Sequence, residues 1–324
     1  MNSISKYISI ARPDHWVKHI FIIPGIIISY SLSSEHSPNM VLNIILGFAA
    51  ACCIASANYV INEWLDAEFD KYHPIKKDRT AVTEQLNKVI VYSEYFLLGI
   101  AGISIAYFIN ESFFFATIAF FLMGVLYNVR PFRTKEKMFL DVLSEAINNP
   151  IRLILGWTMV TSASLPPLSL ILLYWLGGAF LMSLKRFSEY VHIKSIDSVE
   201  NLHRYRKSFQ SYTEEILLSS SVLYAIFSSF FIAIFLAKYK VEYILLLPAL
   251  SLLFAYYFYL AMQKNAITQT PEKLFRDKIL VILVIIISIL FVLLSFVEIE
   301  IMEFLILSKE FSIGVLKEYI KRLF

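Results

Sequence analysis

Charge is what this sequence is short of. Only 17% of its 324 residues are Asp, Glu, Lys or Arg, where a soluble domain carries roughly 25%. So few charges could not cover the surface of a water-soluble chain of this length. Cysteine is almost absent. The two present, Cys52 and Cys53, are adjacent inside an apolar run. That excludes a disulfide framework and a thiolate metal site, and leaves two small core residues. No Gly/Ser- or Pro-rich stretch divides the chain, so residues 1–324 read as one helical unit, a bundle over 1–300 and a tail over 301–324. No internal repeat is found, which counts against transporters built from inverted repeats. The first apolar run lacks a small-residue cleavage pattern and is expected to stay as a helix. A net charge of +3 gives no reason to expect nucleic acid as a partner.

What is abundant is apolar. Hydrophobic residues make up 58% and aromatics 15%, with a mean hydropathy of +0.64. Apolar stretches recur at 19–33, 40–62, 88–109, 112–128, 140–162, 167–190, 214–237, 241–262 and 279–297. Each approaches the ~20 residues that cross ~30 Å of hydrocarbon. The expectation is an all-α integral membrane protein of about nine transmembrane helices. The tail alternates apolar and charged residues, and its Phe311, Val315, Leu316, Ile320, Phe324 pattern predicts a helix lying at the interface. Lys and Arg are distributed unevenly: 22 of the 29 fall at the N-terminus and in alternate loops. Positive charge stays on the cytoplasmic side of the cell (inner) membrane, which puts the N-terminus and those loops there and the tail outside.

Polar residues inside the apolar runs carry the chemistry. Asn58, Asn62, Asp66 and Asp70 are spaced by four and make one stripe along a helix. Carboxylates at that spacing repel, and a hard divalent ion with oxygen ligands would offset them. A solvated helix end is the plainer account. Against it, His73, Lys76, Lys77 and Arg79 follow at once, as a metal–diphosphate site would require. The fifth run carries Asp141, Glu145, Asn148 and Arg152. Ionisable groups there face a cavity or pair with each other, as Glu145–Arg152 or Asp141 with an arginine. The sixth run ends in Lys185, Arg186 and Glu189, and a basic, hydroxyl-rich loop with Arg206 and Tyr212 follows. Arg12-Pro13-Asp14-His15-Trp16-Val17-Lys18 sits at the mouth of the first run, where an interfacial Trp and a snorkelling Lys are the plain account.

These motifs resemble the UbiA superfamily of intramembrane prenyltransferases. The family's first Asp-rich motif stands as Asn62-Glu63-Trp64-Leu65-Asp66-Ala67-Glu68-Phe69-Asp70. Its second is replaced by Lys185-Arg186-Phe187-Ser188-Glu189 and Arg206-Lys207-Ser208-Phe209-Gln210-Ser211-Tyr212. That replacement is similar to the decaprenyl-phosphate phosphoribosyltransferase branch. So are Arg12 to Lys18, Asp70-x-x-His73-Pro74-x-Lys76, Leu126-Tyr127, and Asp141 to Arg152. His15, His19, Glu63 and Asp78-Arg79-Thr80 depart from the branch pattern.

The resemblance implies a UbiA-like bundle. It implies Mg²⁺ on Asn62, Asp66 and Asp70, and phosphoribosyl diphosphate as donor. Lys76, Lys77, Arg79 and Arg133 would meet the diphosphate, Lys185 and Arg186 the 5-phosphate, and Glu189 a ribose hydroxyl. A polyprenyl phosphate would place its phosphate near Lys18 and Arg152. Two other readings stay open: a prenyltransferase acting on an aromatic or other acceptor, and a transporter or non-catalytic membrane protein. A homo-oligomer is compatible with either. The shared-site expectation has a direct check. Cysteines introduced at Lys77, Lys137 and Lys207 should label from one side of the membrane, and a single residue labelling from the other side would break it.

Overall fold

The computed structural model describes residues 4–263, 268, 274, 276–299, 302 and 306. The expected interfacial helix over 301–324 lies outside the described residues, apart from 302 and 306. Among the described residues there is no strand. The helices are α1 (Ser5–Ala11), α2 (Ile23–Leu32), α3 (Met40–Asp70), α4 (Thr80–Thr83), α5 (Lys88–Tyr107), α6 (Glu111–Asn128), α7 (Leu140–Ala146), α8 (Asn148–Val160), α9 (Leu168–Ile196), α10 (Val199–Tyr205), α11 (Glu214–Lys238), α12 (Leu247–Ala261) and α13 (Lys278–Phe296). Among the described residues, 3₁₀ segments join several of them, and a ten-residue one at Pro13–Ile22 links α1 to α2.

Eight helical segments among the described residues are long and apolar enough to cross a membrane. They match eight of the nine predicted spans. The ninth, 140–162, is split into α7 and α8. The cause is Pro150, which has no N–H to give to the Ala146 carbonyl, so the ladder is interrupted as α8 begins.

Two helices outlast the bilayer. At 1.5 Å per residue, α3 with 31 residues and α9 with 29 each run more than about 40 Å, against ~30 Å of hydrocarbon. Their ends therefore project at the same end of the bundle. The projecting ends carry Asp66 and Asp70 on α3 and Glu189 on α9. Several helices start on a side-chain cap: Asn87 Oδ1 accepts from the Val89 N–H, Asn110 Oδ1 from Phe113 and Asp277 Oδ1 from Leu280.

Close approach of helices depends on small residues where lipid supplies no hydrophobic drive. α2 and α8 meet through reciprocal glycines. A Cβ at Gly25 would lie 2.3 Å from the Leu153 carbonyl oxygen, and one at Gly156 would lie 2.1 Å from that of Ile22. Both obstacles are backbone and cannot step aside. Cys52 and Cys53 are free and partly buried on α3. Gly156→Ala should destabilise the protein by about 1–3 kcal/mol, the usual range for overpacking. A thermal midpoint equal to wild type would show that α2 can move away from α8.

Candidate active site

The projecting ends of α3 and α9, the 3₁₀ turn before α2, the 129–139 loop and the 205–207 segment surround a cavity of 380 Å³. Ten Lys and Arg residues line it against five Asp and Glu residues. Such a surplus focuses a positive field into the cleft and draws in a polyanion.

The α3 stripe faces this cavity as its spacing predicts. Asn62 donates to Asp66 Oδ2 at 3.1 Å and to Asn128 Oδ1 at 2.6 Å. Asp66 Oδ1 accepts from Arg133 Nη2 at 2.9 Å and also from Lys135. Asp70 Oδ2 accepts from Arg79 Nη1 at 2.6 Å. Cationic side chains thus offset the carboxylate repulsion. Arg133 sits at φ 30°, in the left-handed region. That uncommon backbone lets one guanidinium reach Asp66, Glu136 and the Asn128 carbonyl together. Burial pushes the Lys135 ammonium down to about 8, although Asp66 works in the opposite direction.

Lys76 reaches the cavity because His73 shapes the turn before it. His73 Nδ1 accepts from the N–H groups of Ile75 and Lys76, each at 3.1 Å. Burial, helped by the Lys76 ammonium, pushes the His73 imidazole down to about 4. The ring is therefore neutral at physiological pH, with Nδ1 free to accept. Lys76 donates to Glu189 at 2.5 Å and to the Tyr205 hydroxyl. Burial alone would lower the Lys76 pKa, but Glu189 more than reverses that and raises it.

Behind the cavity wall lies a buried charge network. Arg186 is 1% exposed. Its guanidinium donates to Glu145 at 2.6 Å and to Glu189 and the Tyr127 hydroxyl at 3.1 Å, and its Nε lies 3.5 Å from Asp141. Asp141 is fully buried and also accepts from Tyr212 at 2.8 Å and Ser208 at 3.0 Å, with Arg206 3.9 Å away.

Asn62, Asp66, Asp70, Lys18, Lys76, Arg79, Tyr127, Arg133, Lys185, Arg186 and Arg206 all line the cavity. Five expected substrate contacts do not, and one of them, Arg152, lines a neighbouring cavity instead. Lys77 is exposed and points away, because the short 3₁₀ turn Lys76–Asp78 sends neighbouring side chains to different sides. Asp141, Glu189 and Tyr212 are buried behind the wall, where they hold Arg186, Lys76 and Arg206 in place. Arg186 has most of its donors committed to the protein, so Lys185 is the free member of that pair. Arg152 has no carboxylate partner among the described residues; Glu145 belongs to Arg186. Sequence reasoning passed over Lys135, Asn128 and Tyr205. The first was legible only as one more loop cation, and the others carry no signal apart from their position.

A second cavity of 260 Å³ adjoins the first and shares Lys18, Tyr59, Asn62, Tyr127, Glu145 and Lys185 with it. Deeper in, it is lined by Asn58, Asn148, Asn149 and Arg152. Lys18 contacts His15 Nδ1 at 3.0 Å. Lys185 has no hydrogen-bond or ion-pair partner among the described residues. Arg152 is 6% exposed, its Nε is unpartnered, and it lies over the Phe120 ring at 5.0 Å.

Residues 21–282 match the sequence profile of the UbiA prenyltransferase family, most of the chain. The chain belongs to the UbiA prenyltransferase family. It is a membrane transferase of that fold. Among its relatives is the decaprenyl-phosphate phosphoribosyltransferase of Mycolicibacterium smegmatis, 25% identical over 219 residues, 67% of this chain and 65% of that one. The chain thus spans just under two thirds of that relative's length. The protein of the same name from Mycobacterium tuberculosis is 23% identical, with 67% and 68% covered. The nodulation protein NoeC of Azorhizobium caulinodans is 26% identical, with 70% and 71% covered. A solved UbiA homologue from Archaeoglobus fulgidus, bound to DMAPP and Mg²⁺, superposes with a TM-score of 0.67 at 18% identity, over 90% of this chain and 98% of that one.

The position of Glu189 generates a prediction. Removing one partner of a buried pair costs about 3–5 kcal/mol, because the other charge is left uncompensated. Glu189→Gln should therefore lower the thermal midpoint as well as activity. A variant that loses activity at unchanged stability would mean that Glu189 meets the substrate directly.

Proposed function

We propose that this protein transfers 5-phosphoribose from phosphoribosyl diphosphate to a polyprenyl phosphate, releasing diphosphate, at the cytoplasmic face of the cell (inner) membrane. The observation that carries this reading is the division of surplus positive charge between two joined cavities. One cavity suits a polyanionic donor. The other holds Lys18, Lys185 and Arg152 against one carboxylate, Glu145, which is already paired with Arg186, and it suits a second anion. An aromatic or hydrocarbon acceptor would leave the buried Arg152 guanidinium without an anionic partner, a costly arrangement. The relatives named for phosphoribosyl transfer to decaprenyl phosphate support the same reading.

Asn62, Asp66 and Asp70 fit Mg²⁺. They offer an amide and two carboxylate oxygens along one face of α3, all on the cavity wall. Among the described residues, no three His, Cys, Asp or Glu residues come close enough to cage a metal. Magnesium does not require such a cage, because it takes one or two carboxylates and completes its shell with water and substrate phosphates. When bound, it supplies neutralisation of charge on the departing diphosphate.

The rest follows from the chain's own groups. Lys76, Arg79, Arg133 and Lys135 would bind diphosphate oxygens, and Arg206 and Lys207 line the same cavity for the 5-phosphate. The bond from C1 to the diphosphate oxygen breaks, and the electron pair leaves with diphosphate. A bond from C1 to a lipid-phosphate oxygen forms. That oxygen is already an anion, so no general base is needed. Lys18, Lys185 and Arg152 would hold the lipid phosphate beside C1, which is where orientation lowers the barrier.

The deciding experiment incubates purified protein with labelled phosphoribosyl diphosphate and decaprenyl phosphate. Lipid-linked label is expected. Asp66→Asn should lower kcat at least about a hundredfold, equivalent to about 2.7 kcal/mol. Turnover that survives excess chelator, or prenyl transfer to an aromatic acceptor with phosphoribosyl diphosphate ignored, would overturn the proposal.

A further inference from the structure

Five acids line the first cavity: Asp14, Asp66, Asp70, Glu136 and Glu145. Asp66 and Asp70 belong to the α3 stripe, and Glu145 is paired with the buried Arg186. Asp14 is largely exposed, 3.5 Å from His15. Glu136 differs from all four, because it bridges two of the cations proposed to hold the donor. It closes the short 3₁₀ turn Thr134–Glu136, and both of its carboxylate oxygens are taken. Oε1 accepts from Arg133 Nε at 2.6 Å, and Oε2 accepts from Lys207 Nζ at 3.2 Å. Arg130, exposed, lies 4.0 Å away. Arg133 and Lys207 stand on different segments, so Glu136 ties two parts of the cavity wall together.

Arg133 commits all three of its nitrogens. Nη1 gives to the Asn128 carbonyl at 2.8 Å, Nη2 to Asp66 at 2.9 Å and the Leu65 carbonyl at 3.3 Å, and Nε to Glu136. Leu65, Asp66 and Asn128 belong to the long helices α3 and α6 and cannot step back. Glu136 is on a short turn, and its side chain is 21% exposed. It is the acceptor that can leave, because water receives it cheaply. A carboxylate held by two cations also makes the same charge-assisted bonds that a phosphate would make there. Both cannot occupy the place at once, since like charges in contact repel.

We infer that Glu136 sets the affinity for the donor: its carboxylate competes with the donor's phosphates for Arg133 and Lys207, yields those cations when the donor binds, and takes them back as diphosphate departs. This rests on the proposed function for the role of the two cations. Released diphosphate carries no less charge than the diphosphate group of the donor. A site that held the donor with every cation free would also hold the product. A competing carboxylate loosens both.

The test is equilibrium binding to the purified full chain by calorimetry, with Mg²⁺ present and with inorganic diphosphate and phosphoribosyl diphosphate as titrants. Glu136→Gln keeps the shape and gives up the charge. It should bind inorganic diphosphate at least about tenfold more tightly than wild type, a shift of about 1.4 kcal/mol. Phosphoribosyl diphosphate should gain at least as much, because its 5-phosphate also competes for Lys207. Glu136→Ala gives the same readout if Glu136→Gln does not fold. A residue that merely held Arg133 and Lys207 in position would move affinity the other way, so weaker or unchanged binding overturns the inference. Asp14→Asn removes another cavity-lining carboxylate, one that touches neither Arg133 nor Lys207, and should leave inorganic diphosphate within about twofold. A gain equal to that of Glu136→Gln would make Glu136 one background charge among several and overturn the inference as well. Tighter inorganic diphosphate binding in Glu136→Gln, with phosphoribosyl diphosphate bound by neither protein, would sink the donor assignment and leave the competition standing.

Discussion

A single guanidinium holds the site together. Arg186 is almost wholly buried on α9 and has Asp141, Glu145 and Glu189 around it. Charges removed from water are tolerated only when paired and hydrogen-bonded. Each carboxylate therefore stays where Arg186 needs it, and each also fixes something else. Glu189 holds Lys76, Glu145 takes the Tyr127 hydroxyl, and Asp141 takes Tyr212 and Ser208. The cationic lining of the cavity thus depends on a network that mostly does not face it. Asp141 and Glu145 of α7 meet Arg186 of α9, while Arg152 of α8 lines the second cavity.

Bilayer thickness provides the other constraint. Helices of the length of α3 and α9 cannot be contained in hydrocarbon, and their surplus turns are the only parts of the spans that can carry acids cheaply. Both project at the same end, so the Asp66–Asp70 stripe and the Glu189 network face one another. Beneath them the polar cavity adjoins the cationic one that Arg152 lines.

Much of this was legible in the sequence where a single helix carries the information. Apolar run lengths gave eight spans close to where they lie. The period of four gave the Asn62, Asp66, Asp70 face, because residues at that spacing must share one side of a helix. The excess of Lys and Arg in alternate loops marked the end where the cavity is found. What a motif did not specify is the side to which each of its side chains points. Lys76 and Lys77 are neighbours with the same charge, yet a 3₁₀ turn sends one into the cavity and the other to solvent. The family resemblance placed Glu189 at a ribose hydroxyl, and Asp141 was expected either at a cavity or paired with an arginine; Glu189 lies against Lys76 and Arg186, and Asp141 takes the arginine pairing.

By itself, then, the sequence determined the membrane class, the helices and the stripe of acids, since hydropathy and helical period are local properties. Only the tertiary structure decided which cations meet which acids, which are left free, and how two cavities join. Those outcomes depend on contacts between residues far apart in the chain, such as Asn62 with Asn128 or Lys76 with Glu189. No spacing rule within one element can specify a partner on another.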